Sequence, residues 1–318
     1  MGCSSCSSCF GKNQDSKSDQ DVEVIEIEES QQKNKKLLLT SPENPLKNAL
    51  PDHQNYPSVL SPSEHVRIAE GRLPHFQFDR DDGYPELFDP PEHPVIGCTY
   101  IGQKNQFNQK HGRGMIIWED GSKYIGYWKN DKANGRGRLI HSDGDVYEGY
   151  WYEDKAHGKG KYTHFNGSTY EGDWNEDQQE GLGLERWTDG AYYRGHYKAG
   201  KKNGYGEFHW ADSSVYKGQF IDNRIEGFGV YTWKDGRKYE GWWKDNQMHG
   251  KGVFNWPDGR LYQGDYISDQ KQGYGEFFWP SRKVYKGFWL DGKQHGRGSL
   301  INPQGIKTGE WENGRFVN

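Results

Sequence analysis

The sequence predicts an all-β fold: an elongated, single antiparallel meander of about nine 23-residue β-hairpins, preceded by a largely disordered N-terminal segment. Three observations carry this expectation. Tyrosine recurs at a fixed spacing of 23 residues, from Tyr124 and Tyr147 through Tyr262 and Tyr285. Each of these has Gly two positions on and an aromatic residue four positions on, as in Tyr124-Ile125-Gly126-Tyr127-Trp128. A Gly-x-Gly pair follows at constant offset, from Gly135 and Gly137 to Gly296 and Gly298. A fixed period of this length marks a repeat architecture rather than a globular core.

The first strand of each unit follows from the period-2 placement of Tyr, Gly and aromatic, which puts all three on one face. The second strand alternates in the same way: Gly227, Gly229, Tyr231 and Trp233 share one parity. The two strands form a hairpin. Setting Trp128 opposite Gly135 places Gly126 against Gly137 and Tyr124 against Leu139, with a four-residue loop from Asn130 to Ala133. The glycines then leave room for rings to lie across the backbone. Between units, five residues separate Trp233 from Tyr239, and Asp235-Gly236 suits a type I turn closed by a left-handed glycine. Asp212-Ser213 and Ser281-Arg282 lack that glycine, so those two turns are expected to be the least regular.

The combination Tyr-x-Gly-x-Trp, Gly-x-Gly and Asp-Gly at 23 residues resembles the MORN-repeat family over about 100–305, two-thirds of the chain. The resemblance implies a twisted run of hairpins, roughly 85 Å long at ~4.8 Å per strand. Terminal units depart from the pattern: Lys104 stands where the first aromatic belongs, and Gln304-Gly305 replaces the last turn. In the family such arrays resemble organisers of membrane–cytoskeleton junctions, and radial-spoke proteins carry them too.

Three regions follow: an acylated membrane anchor at 1–20, an acidic, Pro-rich tether at 21–95 and the repeat array at 96–318. Met1-Gly2-Cys3 offers Gly2 for N-myristoylation, with Cys6 at the position that usually holds Ser or Thr. One acyl chain holds a membrane only marginally, so Cys3, Cys6 and Cys9 are read as palmitoylation sites supplying the second signal. The opening resembles that of dually acylated Src-family kinases and G-protein α subunits. Residues 10–95 hold most of the prolines and no Trp, too little apolar area to offset chain entropy. Short helices are expected at Asp21 to Leu39 and after Ser61-Pro62-Ser63-Glu64. In the latter Ser61 caps, Pro62 takes the first position, and the helix runs to about Glu70.

Charge divides at the same boundary. Residues 1–95 carry 9 Lys/Arg against 17 Asp/Glu; the rest carries 32 against 29. A nearly neutral array has no basic excess for nucleic acid. No run of 18 apolar residues offers a membrane-spanning helix. Phosphate-loop, His-Glu-x-x-His and nucleophile-elbow motifs are absent from the sequence, so no enzyme activity and no cofactor are expected. Asp79, Asp81 and Gly83 echo a calcium loop at the wrong spacing. His157, His249 and His295 fall at equivalent positions about 9.5 Å or more apart, too far to share a metal. Arg113, Arg136, Lys159, Lys251 and Arg297 recur between the paired glycines and form a candidate stripe for acidic phospholipids or a partner.

These features together predict a non-catalytic membrane-tethered scaffold for protein partners at the cytoplasmic face of the plasma membrane or the cell cortex. An axonemal component, including one at a ciliary membrane, is one alternative. A module binding phospholipid through its repeats is another.

Overall fold

The computed structural model describes residues 62–79, 82–84 and 100–318. Gly2, Cys3, Cys6, Cys9 and the helix expected at 21–39 lie outside the described residues. Among the described residues twenty strands form one sheet in which every strand pairs antiparallel with the next in sequence. The series opens with β1 (Tyr100–Lys104), β2 (Lys110–Ile117), β3 (Lys123–Lys129), β4 (Lys132–Ile140), β5 (Val146–Tyr152) and β6 (Lys155–Thr163), and closes with β19 (Gly305–Glu312) and β20 (Arg315–Phe316). The all-β meander read from the sequence is the observed fold.

Register holds at the predicted centre of the hairpin and departs at its tip. Gly126 faces Gly137 and Tyr124 faces Leu139, but Trp128 faces Ala133 and Lys129 faces Lys132. The loop is therefore two residues, Asn130 and Asp131, rather than four. Their φ values of 50° and 70° make it a type I′ turn, whose twist matches that of the flanking strands. The extra residues appear as a bulge in β4, where Gly135 sits at φ 97° and faces Trp151 of the following strand. The paired glycines thus serve different ends. Gly135 supplies a left-handed bulge, whereas Gly137 lies beneath the Tyr124 ring, where a Cβ would come 2.6 Å from Cζ.

That ring position is the structural unit. Each signature Tyr donates its hydroxyl to the carbonyl three residues on, as Tyr124 does to Tyr127 at 3.1 Å and Tyr239 to Trp242 at 2.9 Å. Each ring meets two aromatics edge-to-face, one in its own unit and one in the next: Tyr147 lies 5.1 Å from both Trp151 and Trp174. Such pairs add roughly 0.5–1.5 kcal/mol apiece beyond their area. A second row of tilted rings runs beside the first through Phe208, Trp210, Tyr231, Trp233 and Phe254 at 4.4–5.2 Å. The aromatic face is buried by its own rings; Tyr124 is fully buried and Trp128 nearly so.

One unit interrupts the second row. Glu185 stands where the next unit has Phe208, and it accepts from Lys202 Nζ at 2.8 Å and Tyr197 Oη at 2.9 Å. Lys202 is itself fully buried and lies over the Trp187 ring at 5.0 Å. A charge in that place persists because it is paired and hydrogen-bonded.

The turns are tied together by a ladder the sequence reading did not include. The second turn residue of one hairpin reaches back to the preceding one. Asp154 Oδ1 accepts from Ala133 N at 2.7 Å, and its own N–H donates to Ala133 O at 3.0 Å. Asp177, Asn223, Asn246 and Asp269 repeat the contact. Gly200, at the same position, keeps only the backbone half, donating to Gln179 O at 2.9 Å. Between units, the expected type I turn is present, with Gly236 N donating to Trp233 O at 2.9 Å and φ 87° at Gly236. The two turns without glycine are not irregular: Ser213 and Arg282 take φ 73° and 64° and keep the same hydrogen bonds. The ladder on either side holds the geometry, and the departure from glycine is absorbed as local strain.

Part of the stretch read as a tether is folded onto the array. Helix α1 (Glu64–Gly71) is capped by Ser63, whose Oγ accepts from Val66 N at 3.1 Å. The cap is two residues later than expected because docking selects Ser63: its N–H donates to Gly121 O and its hydroxyl to Ser142 O. Val66 and Ala69 of α1 are buried against Ile140 and Val146.

Candidate functional site

Residues facing away from the aromatic core form the outer face of the sheet. Two of its rows matter here. One contains the residues between the paired glycines, such as Arg113 and Arg136. The other contains their cross-strand partners, such as Tyr127 and Tyr150. Over β2–β4 this face is covered by an extended arm, residues 74–79 and 82–84, that follows α1 and crosses the strands.

The arm is held by arginines and rings. Arg113 binds the Asp82 carboxylate through two nitrogens at 2.7 Å each and reaches Asp79 O at 3.0 Å. Tyr127 donates its hydroxyl to Asp82 and accepts from Asp79 N at 2.8 Å. Arg136 pairs with the Asp79 carboxylate at 2.7 Å, and Arg138 donates to Pro74 O at 2.7 Å. Phe78 meets Tyr127 edge-on at 5.3 Å and lies beneath Arg113 at 5.2 Å; Phe76 lies beneath Arg136 and Arg138. The Arg113 hydrogen bonds, with those of Tyr127 and the Tyr84 N–H, outweigh burial and lower Asp82 to about 2. Burial and the Asp82 contact push Tyr127 up to about 12. Bidentate, charge-assisted bonds of this type fix geometry as well as adding energy.

The five candidate cations are therefore not equivalent. Arg113 is buried under the arm, and Arg136 is shared with Asp79. Lys159 and Lys251 are exposed and pair with Asp173 and Asp265 across the sheet at 2.6 and 3.1 Å. Arg297 is exposed. Sequence reasoning found these positions but missed the arm. Its signal was the alternation Phe76-x-Phe78 followed by Asp79 and Asp82, in a stretch otherwise poor in apolar residues. Asp79 and Gly83 belong to this arm, in place of the calcium loop they faintly echo. Among the described residues no three His, Cys, Asp or Glu side chains gather as a metal site. No helix among the described residues is long and apolar enough to cross a membrane.

Beyond the arm the outer face changes character. Tyr205, Phe228, Trp242, Tyr274 and Phe288 are each about half exposed on the same two rows. Phe228 and Trp242 meet edge-on at 6.0 Å, as do Tyr274 and Phe288 at 5.8 Å. The arrangement offers flat, rigid rings on a long sheet, suited to apolar contact with an extended ligand.

A family model described as MORN repeat matches nine consecutive segments: 100–123, 124–146, 147–169, 170–192, 193–215, 216–236, 239–259, 262–283 and 285–307. No curated protein matches the chain. Among solved structures, the TCP10 domain of Danio rerio CPAP in complex with a peptide of Danio rerio STIL is 12% identical. That likeness covers 67% of this chain and 99% of that one, with a TM-score of 0.38. The Drosophila melanogaster SAS-4 TCP domain with a proline-rich motif of Ana2 is 17% identical, covering 58% and 100%, with a TM-score of 0.32. The Staphylococcus aureus virginiamycin B lyase is 12% identical, covering 67% and 74%, with a TM-score of 0.14.

Proposed function

The chain belongs to the MORN-repeat family, and from that premise we propose that it is a non-catalytic scaffold tethered to the cytoplasmic face of the plasma membrane or the cell cortex. The observation that carries the scaffold reading is the outer face beyond the arm, with its half-exposed Tyr205, Phe228, Trp242, Tyr274 and Phe288. Rings of this size, fixed on a sheet and left in water, are the anchors that protein interfaces use. The tether reading is supported by Gly2, Cys3, Cys6 and Cys9, which offer one amine and three thiols for two acyl signals.

Replacing Gly2 by Ala, or Cys3, Cys6 and Cys9 together by Ser, should move the protein from the membrane fraction to the soluble fraction. Membrane retention in both variants overturns the anchor. An axonemal component would instead stay with microtubules after detergent extraction. Direct binding of acidic phospholipid by the repeats finds less support. Arg113 and Arg136 are engaged by the arm, and Lys159 and Lys251 face carboxylates. Anionic-vesicle sedimentation of the unlipidated full chain at low salt distinguishes that role.

A further inference from the structure

The repeat lets one part of the sheet report on another. Adding five units of 23 residues to the arm's contacts Arg113, Tyr127, Arg136 and Arg138 gives Phe228, Trp242, Lys251 and Val253. Adding seven gives Tyr274, Phe288, Arg297 and Ser299. Strand pairing confirms that these are equivalent places: Arg113 faces Tyr127, Phe228 faces Trp242 and Tyr274 faces Phe288. The first place is occupied by the chain's own arm. Among the described residues nothing covers the other two, and their rings are about half exposed.

We propose that these two places bind extended partner segments in the way the first binds residues 74–79 and 82–84, with a specificity that the substitutions spell out. The aromatic at the Tyr127 position is kept in both, as Trp242 and Phe288, so a ligand ring corresponding to Phe78 retains its edge-on neighbour. A cation at the Arg136 position is kept, as Lys251 and Arg297; an acid corresponding to Asp79 takes Lys251 from its solvent-exposed pair with Asp265 at 3.1 Å, an exchange of one weak surface ion pair for another. Arg113, which binds Asp82, is replaced by Phe228 or Tyr274. An acid there would be desolvated against a ring without a partner, which is unfavourable, while an apolar side chain gains contact. The occupant is therefore a protein segment of the form aromatic-x-aromatic-acid, with an apolar residue three positions after the acid. The chain's own arm has Asp82 at that position and is directed to the first place, where its tether also gives it a high effective concentration.

This inference rests on the reading of the repeats as a protein-binding scaffold and is independent of the lipid anchor, so it is tested with the unlipidated full chain. The probe is a fluorescein-labelled peptide of residues 72–84 carrying Asp82→Leu, titrated by anisotropy. It should bind the wild-type chain at least tenfold more tightly than the unaltered 72–84 peptide does. Trp242→Ser combined with Phe288→Ser should weaken the Leu peptide at least tenfold, while Trp242→Phe should restore binding in the Phe288-intact chain. Both exposed positions can be changed without touching the buried rings, and an unshifted melting curve checks that the fold is kept. Absence of binding, equal affinity for the two peptides, or indifference to the double substitution overturns the proposal. So does phosphatidylcholine-vesicle sedimentation that is lost with Trp242→Ser, which would assign the face to a lipid surface. If the peptide fails while the Gly2 and cysteine variants still leave the membrane, the tether stands and only this surface is refuted.

Discussion

Gly158 and Gly160 form one Gly-x-Gly pair, and replacing each by Ala should separate the two reasons for glycine. At Gly160 the backbone is ordinary, but a Cβ would lie 2.6 Å from Cε2 and Cζ of Tyr147. That ring is fully buried, wedged between Trp151 and Trp174 at 5.1 Å, and tied by its hydroxyl to Tyr150 O at 3.0 Å. It has no free direction in which to move. Overpacking of this kind costs about 1–3 kcal/mol. Pulling the hydroxyl from its acceptor adds about 1–3 kcal/mol, so Gly160→Ala should cost roughly 2–6 kcal/mol in all. At Gly158 a Cβ would meet Tyr150 Cβ at an ordinary 3.5 Å, and only its φ of 69° is strained, at about 1–2 kcal/mol. Urea unfolding followed by tryptophan fluorescence measures both. A double-mutant cycle sharpens the test. Tyr147→Ala opens a cavity costing about 3–5 kcal/mol, into which the new methyl fits. The Gly160→Ala/Tyr147→Ala chain should therefore be no less stable than Tyr147→Ala, an interaction of about 2 kcal/mol or more. If Gly160→Ala costs under 1 kcal/mol, or the cycle is additive, the ring-over-glycine account of the fold is wrong.

Three further outcomes are expected. Lys202→Met leaves Glu185 buried without its cation and should cost about 3–5 kcal/mol. Lys202→Ile with Glu185→Phe and Tyr197→Phe, which supplies the residues of the next unit (Ile225, Phe208 and Phe220) and leaves no hydroxyl without its acceptor, should be neutral or stabilising in the same unfolding assay. Gly200→Asn should stabilise by about 0.5–1 kcal/mol by completing the turn ladder, since φ 76° there matches Asn223 and a Cβ meets nothing. A lower melting temperature would mean that the ladder contact has no energetic role. Asp82, held at about 2 against a usual 3.8, binds its proton more weakly when folded. Its stabilisation is complete above about pH 4 and is lost as pH falls toward 2. The difference in denaturation midpoint between wild type and Asp82→Asn should therefore shrink steadily as pH falls from about 4 through 2, whereas a constant difference removes the Asp82–Arg113 account.

The repeat made much of the fold legible from sequence alone. Parity in Tyr124, Gly126 and Trp128 identifies the strand, and the Gly126–Gly137 and Tyr124–Leu139 pairs follow because one face must hold every ring. Five residues between Trp233 and Tyr239 dictate the turn, because only a left-handed residue there keeps both aromatics on one side. These are local or period-bound facts, and alternation and spacing carry them. The hairpin tip escaped that logic: Trp128 faces Ala133 because a bulge, not a longer loop, absorbs the extra residues. A parity count treats the two alike.

The site was less legible. Arg113, Arg136, Lys159, Lys251 and Arg297 share one position in the repeat, and spacing alone makes them a stripe. Their fates diverge through contacts with residues far away in sequence, since Asp82 and Asp79 arrive from 31 and 57 positions upstream. No periodicity encodes that meeting, because the arm lies outside the repeat. The sequence by itself determined the meander, its buried aromatic face and the position of every outward residue. Only the tertiary structure decided which outward residues remain open. A sheet fixes where side chains point, while what covers them depends on the non-local docking of a segment with its own charges and rings.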